Sequence, residues 1–138
     1  MQLKVDGRQV YAATGGRPFD AAKPLVIFIH GAGQDHTNWQ LPARWFAWNG
    51  YAVLAPDLPG HGRSDGPPLD TIRDMAQWIG RLMDGANVKR AGLVGHSMGG
   101  RIALSLAQNF PGKVKTLIMA ASGSGTAGRA GSDCVPGL

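Results

Sequence analysis

Residues 91–109 read AGLVGHSMGGRIALSLAQN. The short apolar run Ala91–Val94 predicts a strand, and Met98–Asn109 predicts a helix that stops before a Pro-Gly pair. Between them, Gly95–Gly99 fits the pattern G-x-S-x-G, which places a serine on a sharp turn when a strand precedes it and a helix follows. The sequence therefore predicts Ser97 as an exposed nucleophilic hydroxyl at the end of a strand.

The predicted turn at Ser97 restricts the residues around it. The serine would take a strained backbone conformation, and side chains at Gly95 and Gly99 would clash, so both positions must be small. Gly100 then allows the new helix to pack close to the sheet, and the helix start directs N–H groups toward the site. A phosphate-binding loop is the alternative for a glycine-rich turn, but no Gly-Lys-Ser/Thr follows here.

The same alternation of strands and helices extends along the chain. Pro24 precedes the continuous apolar run Leu25–Ile29, which is typical of a central parallel strand buried on both faces. Further strands are predicted at 2–5, 9–13, 51–55 and 114–120, and further helices at about 38–49 and 71–83. This order predicts an α/β fold, with a mostly parallel sheet and helices on both faces.

A second loop is predicted to meet the turn at Ser97. The loop His30–Gly33 follows Leu25–Ile29 directly, at the place where a backbone donor to a developing oxyanion is expected. The N–H of Met98 would be one donor and that of Ala32 the other, and each such donor is worth ~3–4 kcal/mol in the transition state. His30 could instead be the catalytic base, but a hydrogen-bonding role that orients its own loop is favoured.

Composition excludes several other classes of protein. The net charge is +5, yet the basic residues are scattered and Lys89-Arg90 is the only adjacent pair, which argues against nucleic-acid binding. Cys134 is the single cysteine, so a reduced, cytoplasmic protein is expected. No apolar run approaches the about 20 residues of a membrane span, and Met1–Val10 has no signal-peptide pattern, so no membrane partner is expected.

Three motifs occur in order: HGAG at 30–33, DLPGHGRS at 57–64 and GHSMGG at 95–100. Together they resemble the α/β-hydrolase fold superfamily, in particular its serine esterase, lactonase and C–C-hydrolase-like branch, over about residues 1–121. The resemblance implies Ser97 as the nucleophile, with Ala32 and Met98 as oxyanion donors. The turn Gly95–Gly99 resembles the nucleophile elbow of this family. The resemblance also implies supporting roles, in the elbow and in the loop that starts at residue 30, for a further set of residues: His30, Gly31, Gly95, His96 and Gly99.

The resemblance also has consequences for chemistry. Family members that open epoxides or remove halide usually have aspartate at the elbow, so serine implies acyl transfer on a small ester, lactone or related substrate. No cofactor and no metal is expected. In the loop 57–64, Asp57 and His61 are expected to shape the turn and to do no chemistry.

The groups that would activate Ser97 are not found after it. The family's chain order is serine, acid, histidine, whereas all four histidines, His30, His36, His61 and His96, lie before or beside the elbow. Asp133 is the only acid after Ser97, and the side chain of His96 should point away from its neighbour. The chain is therefore expected to be truncated after about the sixth strand and catalytically incomplete, which leaves a non-catalytic fragment or binding module as the alternative.

A nucleotide-binding βαβ protein is disfavoured because the loop after residue 29 lacks G-x-G-x-x-G.

Three further expectations concern the tail, the tryptophans and the edge of the sheet. Residues 122–138 are Gly/Ser-rich and without periodicity, and are expected to form a disordered tail. Trp39, Trp45 and Trp48 could line a pocket, but their helical spacing favours core positions. The strand predicted at 114–120 should form an exposed apolar edge of the sheet.

Overall fold

The computed structural model describes residues 1–120, so the predicted tail at 122–138 lies outside the described residues. These residues form one six-stranded sheet with three α-helices. The strands are β1 (Gln2–Val5), β2 (Arg8–Ala13), β3 (Leu25–Ile29), β4 (Ala52–Pro56), β5 (Ala91–His96) and β6 (Val114–Ala120). The helices are α1 (Gln40–Ala47), α2 (Ile72–Gly85) and α3 (Met98–Asn109), with short 3₁₀ helices at His36–Trp39 and Pro111–Lys113.

The sheet has the order β1-β2-β4-β3-β5-β6. Pairing is antiparallel from β1 to β2 and from β2 to β4, and parallel for the pairs β3–β4, β3–β5 and β5–β6. Every residue of β3 and β4 is buried, as a central strand covered on both faces requires. The predicted α/β fold with a mostly parallel sheet is confirmed.

Alternate residues of the central strands face two separate apolar cores. Val26 and Phe28 of β3 pack with Ala43 and Ala47 of α1 on one face. Leu25, Ile27 and Ile29 belong to the second core, which the apolar residues of α2 and α3 complete. Since successive side chains of a strand point to opposite faces, the helices cover both faces of the sheet, as predicted.

The ends of the helices follow from local hydrogen bonds. The Thr71 hydroxyl accepts from the Asp74 amide at 3.0 Å and begins α2. The predicted helix at 38–49 is instead a 3₁₀ turn followed by α1, because the Asp35 carboxylate accepts from the Thr37 amide at 2.9 Å and starts the turn earlier. Pro42 then lies in the first turn of α1, where the missing N–H does no harm.

The tryptophans of this region differ in burial. Trp39 is buried, but the expectation of core positions is wrong for Trp45 and Trp48, which are 58% and 55% exposed. The buried stripe of α1 consists of Ala43 and Ala47, spaced four residues apart. Trp45 therefore lies on the opposite face of the helix, and Trp48 follows the helix end.

Strand β6 lies at the edge of the described sheet, as predicted. Within residues 1–120 it pairs with β5 alone, and Ile118 is 51% exposed. None of the helices within residues 1–120 combines the length and the apolar character that a membrane span requires.

Candidate active site

The turn between β5 and α3 contains one residue, Ser97. Its backbone has φ 58° and ψ −120°. Two other described residues that are not glycine have positive φ, Asp6 and Asn87, and both are of types that tolerate it. Serine rarely adopts such a conformation, so the backbone at Ser97 is strained. The strain is maintained by the strand before it and by the helix after it, where the Gly100 amide donates to the Ser97 carbonyl at 3.0 Å.

Two glycines make this turn sterically possible. A β-carbon on Gly99 would overlap the carbonyl oxygens of Ile29 and His30, and one on Gly95 would overlap the backbone of Gly99. Helix α3 therefore starts in contact with the end of β3. The requirement for glycine at both positions is steric, because neither residue has a positive φ.

The loop after β3 lies against the elbow. A β-carbon placed on Gly31 would lie 3.2 Å from Cβ of Ser97 and 3.2 Å from the carbonyl oxygen of His96. Ala32 follows at an exposed position. Within residues 1–120, the amides of Ala32 and Met98 have no hydrogen-bond acceptor. The structure thus brings the two predicted donor segments together beside Ser97.

His30 is fully buried and both of its ring nitrogens are occupied. The Leu58 amide donates to Nε2 at 3.1 Å, and Nδ1 donates to the Gly31 carbonyl at 2.7 Å. An amide can only donate and a carbonyl can only accept, so the ring is the neutral tautomer with its proton on Nδ1. Burial lowers the pKa of His30 below its ordinary value of 6.5. This geometry connects the loops after β3 and β4, and leaves no ring nitrogen for Ser97.

Acidification should destabilise the fold through His30. The unfolded chain binds a proton at His30 near its ordinary pKa of 6.5, whereas the folded chain binds it only at lower pH. The stability contribution is therefore full above that pH and falls below it, by up to about 1.4 kcal/mol per pH unit. Urea unfolding at about pH 7.5 and about pH 5.5 measures this loss. A His30→Gln variant should be less stable at the higher pH yet lose less on acidification, and equal losses in both proteins would contradict the assignment.

The loop after β4 is organised by a buried carboxylate. Asp57 accepts from the backbone amides of His36 at 2.7 Å and Arg63 at 2.8 Å, and from Nδ1 of the His36 ring at 2.9 Å. Gly62 is required in this loop because a β-carbon there would overlap the Asp57 carboxylate. Nδ1 of His61 lies 3.0 Å from a carbonyl oxygen of its own loop. Asp57 therefore joins the loop after β4 to the 3₁₀ helix that begins at His36, whereas His61 bonds within its own loop.

One group of described side chains has the chemistry of metal ligands. Donor atoms of Asp35, His36 and Asp57 all lie within 4.8 Å of one another. However, Asp35 already accepts from the Thr37 amide, and Asp57 accepts from the amide and ring of His36. These bonds stabilise the carboxylates without an ion, so the group gives no independent support for a metal, and the expected absence of a metal stays a prediction.

Comparison with known proteins identifies the family of this chain. The family model described as the alpha/beta hydrolase fold matches residues 24–131, which include the loops after β3 and β4 and the elbow at Ser97. The chain belongs to the alpha/beta hydrolase fold family.

The relatives of this chain are longer proteins. It is 42% identical, over 83% of its own length and 30% of the relative's, to the dihydrolipoyllysine-residue acetyltransferase component of the acetoin cleaving system of Cupriavidus necator. It is 34% identical, over 76% of its length and 38% of the relative's, to 2-hydroxy-6-oxononadienedioate/2-hydroxy-6-oxononatrienedioate hydrolase of Paraburkholderia phymatum. The crystal structure of a membrane phospholipase A, a bacterial virulence factor, superposes with a TM-score of 0.79 at 31% identity, over 86% of this chain and 38% of that one. The chain thus spans about a third of the length of these relatives.

Two contacts within the site were not predicted from the sequence. Oε1 of Gln34 accepts from the Gly31 amide at 2.8 Å and lies 3.4 Å from Nδ1 of His96. The buried indole N–H of Trp39 has no acceptor within residues 1–120, and its ring is 6.4 Å from that of His96. A single glutamine in a polar loop has no sequence signal, whereas the burial of Trp39 was predicted but not its closeness to His96.

A cavity of about 630 Å³ lies between the end of β2 and α1. Its lining includes Tyr11, His36, Gln40 and Arg44, and Ser97 is not part of it. The cavity therefore provides no substrate pocket for the hydroxyl.

Proposed function

We propose that this chain provides the nucleophile and the oxyanion hole of a serine hydrolase that acts on esters, lactones or related acyl substrates. The observation that supports this most strongly is the strained Ser97, which is followed by the unpaired amide of Met98 and lies against Gly31, the neighbour of Ala32 in the loop after β3. A strained residue that its surroundings hold in place is typical of a functional site. Membership of a hydrolase family agrees with this proposal.

The chemistry follows from where charge develops. Oγ of Ser97 attacks the acyl carbon, and the carbonyl oxygen becomes an oxyanion between the two amides. Each donor contributes ~3–4 kcal/mol when it is preorganised. Serine at the elbow supports attack on an acyl group rather than on an epoxide or halide carbon.

The proton of Ser97 needs a base from elsewhere in the protein. No side chain within residues 1–120 is hydrogen-bonded to Oγ of Ser97. The order serine, acid, histidine in this fold places both missing groups after the nucleophile, and no histidine follows Ser97 in these 138 residues. We therefore place the base and its carboxylate in sequence beyond these residues, in agreement with the greater length of the relatives.

Covalent labelling of the 138-residue chain tests the proposal. A fluorophosphonate should form a bond between Oγ of Ser97 and phosphorus, with loss of fluoride, and added imidazole should accept the proton that the missing base would take. Peptide mass spectrometry is expected to show an adduct on Ser97 whose rate rises with imidazole concentration. Ser97→Ala should abolish it. Ser105→Ala, which changes a half-buried serine of the same helix, should leave it unchanged.

The second candidate is a binding module with the hydrolase fold. The lack of any described side chain hydrogen-bonded to Ser97 favours it. If Ser97 is labelled no faster than Ser105 at any imidazole concentration, the hydrolase proposal fails and the binding module is the better interpretation.

A further inference from the structure

The loop that contains Ala32 is closed by two hydrogen bonds of opposite direction. The backbone amide of Gln34 donates to the Gly31 carbonyl at 3.2 Å, and the Gly31 amide donates to Oε1 of the Gln34 side chain at 2.8 Å. Gln34 therefore forms hydrogen bonds with both the carbonyl and the N–H of Gly31. A β-carbon on Gly31 would lie 2.9 Å from Oε1, so glycine gives the side chain room to approach.

These bonds fix the peptide plane that contains the Ala32 amide. The carbonyl of Gly31 and the N–H of Ala32 belong to one planar trans peptide and point in opposite directions. That carbonyl accepts from Nδ1 of His30 at 2.7 Å as well as from the Gln34 amide. The preceding peptide, which contains the Gly31 N–H, is held by the Gln34 side chain. The direction of the Ala32 N–H is thus set by its neighbours and not by any bond of its own.

The same side-chain oxygen also reaches the elbow. Oε1 of Gln34 lies 3.4 Å from Nδ1 of His96, the last residue of β5 and the neighbour of Ser97. One amide group therefore contacts both segments that are proposed to supply the oxyanion hole. A substitution that changes the length or the polarity of the Gln34 side chain should therefore shift these two segments relative to each other.

We infer that Gln34 is a positioning residue that directs the Ala32 amide toward the oxyanion formed at Ser97. The inference rests on the proposed function for its catalytic meaning, but the hydrogen bond itself can be measured without any reaction. In this role Gln34 acts through Gly31 and Ala32, and no hydrogen bond joins it to Ser97 within residues 1–120.

Two substitutions separate the acceptor from the shape of the side chain. Gln34→Met keeps the length but removes the oxygen, so the Gly31 amide should exchange with deuterium about tenfold faster, the effect of losing one hydrogen bond. Gln34→Glu keeps an oxygen acceptor and should restore exchange to near the parent rate.

Labelling of Ser97 in imidazole should be about tenfold slower in Gln34→Met, because a displaced donor stabilises the oxyanion less. Gln40→Met, at an exposed glutamine of α1, is the matched control and should change neither rate.

The two measurements distinguish failure of the inference from failure of the proposed function. Exchange is followed by NMR on the 138-residue chain, and thermal unfolding by circular dichroism checks that each variant is folded. If the parent is not labelled at Ser97, the proposed function fails, while Gly31 exchange still tests the loop contact. Unchanged Gly31 exchange in Gln34→Met, or unchanged labelling in a parent that does react, would overturn the inference.

Discussion

Replacing Gly99 with alanine is expected to lower the free energy of unfolding by about 3 kcal/mol or more. The added methyl group would overlap the carbonyl oxygens of Ile29 and His30. Ile29 ends β3, which is buried and paired with strands on both sides, so these carbonyls cannot move without disturbing the centre of the sheet. Alanine favours a helix over glycine by about 1 kcal/mol, which is too little to compensate.

Gly112→Ala is the matched control for this experiment. A β-carbon there has nothing within 4 Å, and the residue is exposed in the short 3₁₀ helix before β6. Its stability should stay within about 0.5 kcal/mol of the parent. Urea unfolding followed by circular dichroism compares the three proteins. A Gly99→Ala protein as stable as the control would show that α3 does not start in contact with β3.

Replacing Asp57 with alanine is expected to cost a similar amount, about 3 kcal/mol. The substitution removes the acceptor for the backbone amides of His36 and Arg63 and for the His36 ring. Asp57 is fully buried, so water cannot readily replace the lost oxygen atoms. The loop after β4 would then lose the group that determines its shape.

An exposed aspartate provides the comparison for Asp57. Asp84 forms an ion pair with Lys113 at 2.7 Å, and its side chain is 66% exposed. Exposed pairs contribute little because water screens them, so Asp84→Ala should lose well under half as much stability in the same urea titration. Equal losses for the two variants would refute the structural role assigned to the buried carboxylate.

The sequence predicted the elements that end at clear local signals. Helix α3 and strand β6 have the predicted bounds, because Pro111-Gly112 separates them. Strand β5 was predicted to end at Val94 but continues to His96, since Gly95 and His96 still pair with β6. That pairing is tertiary and has no signature within the motif itself.

The site shows the same division between local and tertiary information. The motif around Ser97 specifies a turn that local sequence can describe, and the structure has that turn. The contact of Gln34 with Gly31 and His96 depends on how two loops meet in space, so it could not be predicted. The exposure of Trp45 was missed for a related reason: helical spacing identifies which residues share a face, but not which face the sheet covers.

The backbone of Ser97 also bears on how such a chain evolves. Glycine adopts φ near +58° without steric penalty, whereas serine is strained there by about 1–3 kcal/mol. Selection for folding alone would thus favour glycine at this position. Folding therefore gives no reason for a hydroxyl at this position, and the strain at Ser97 is a cost that only a role of the side chain itself would offset.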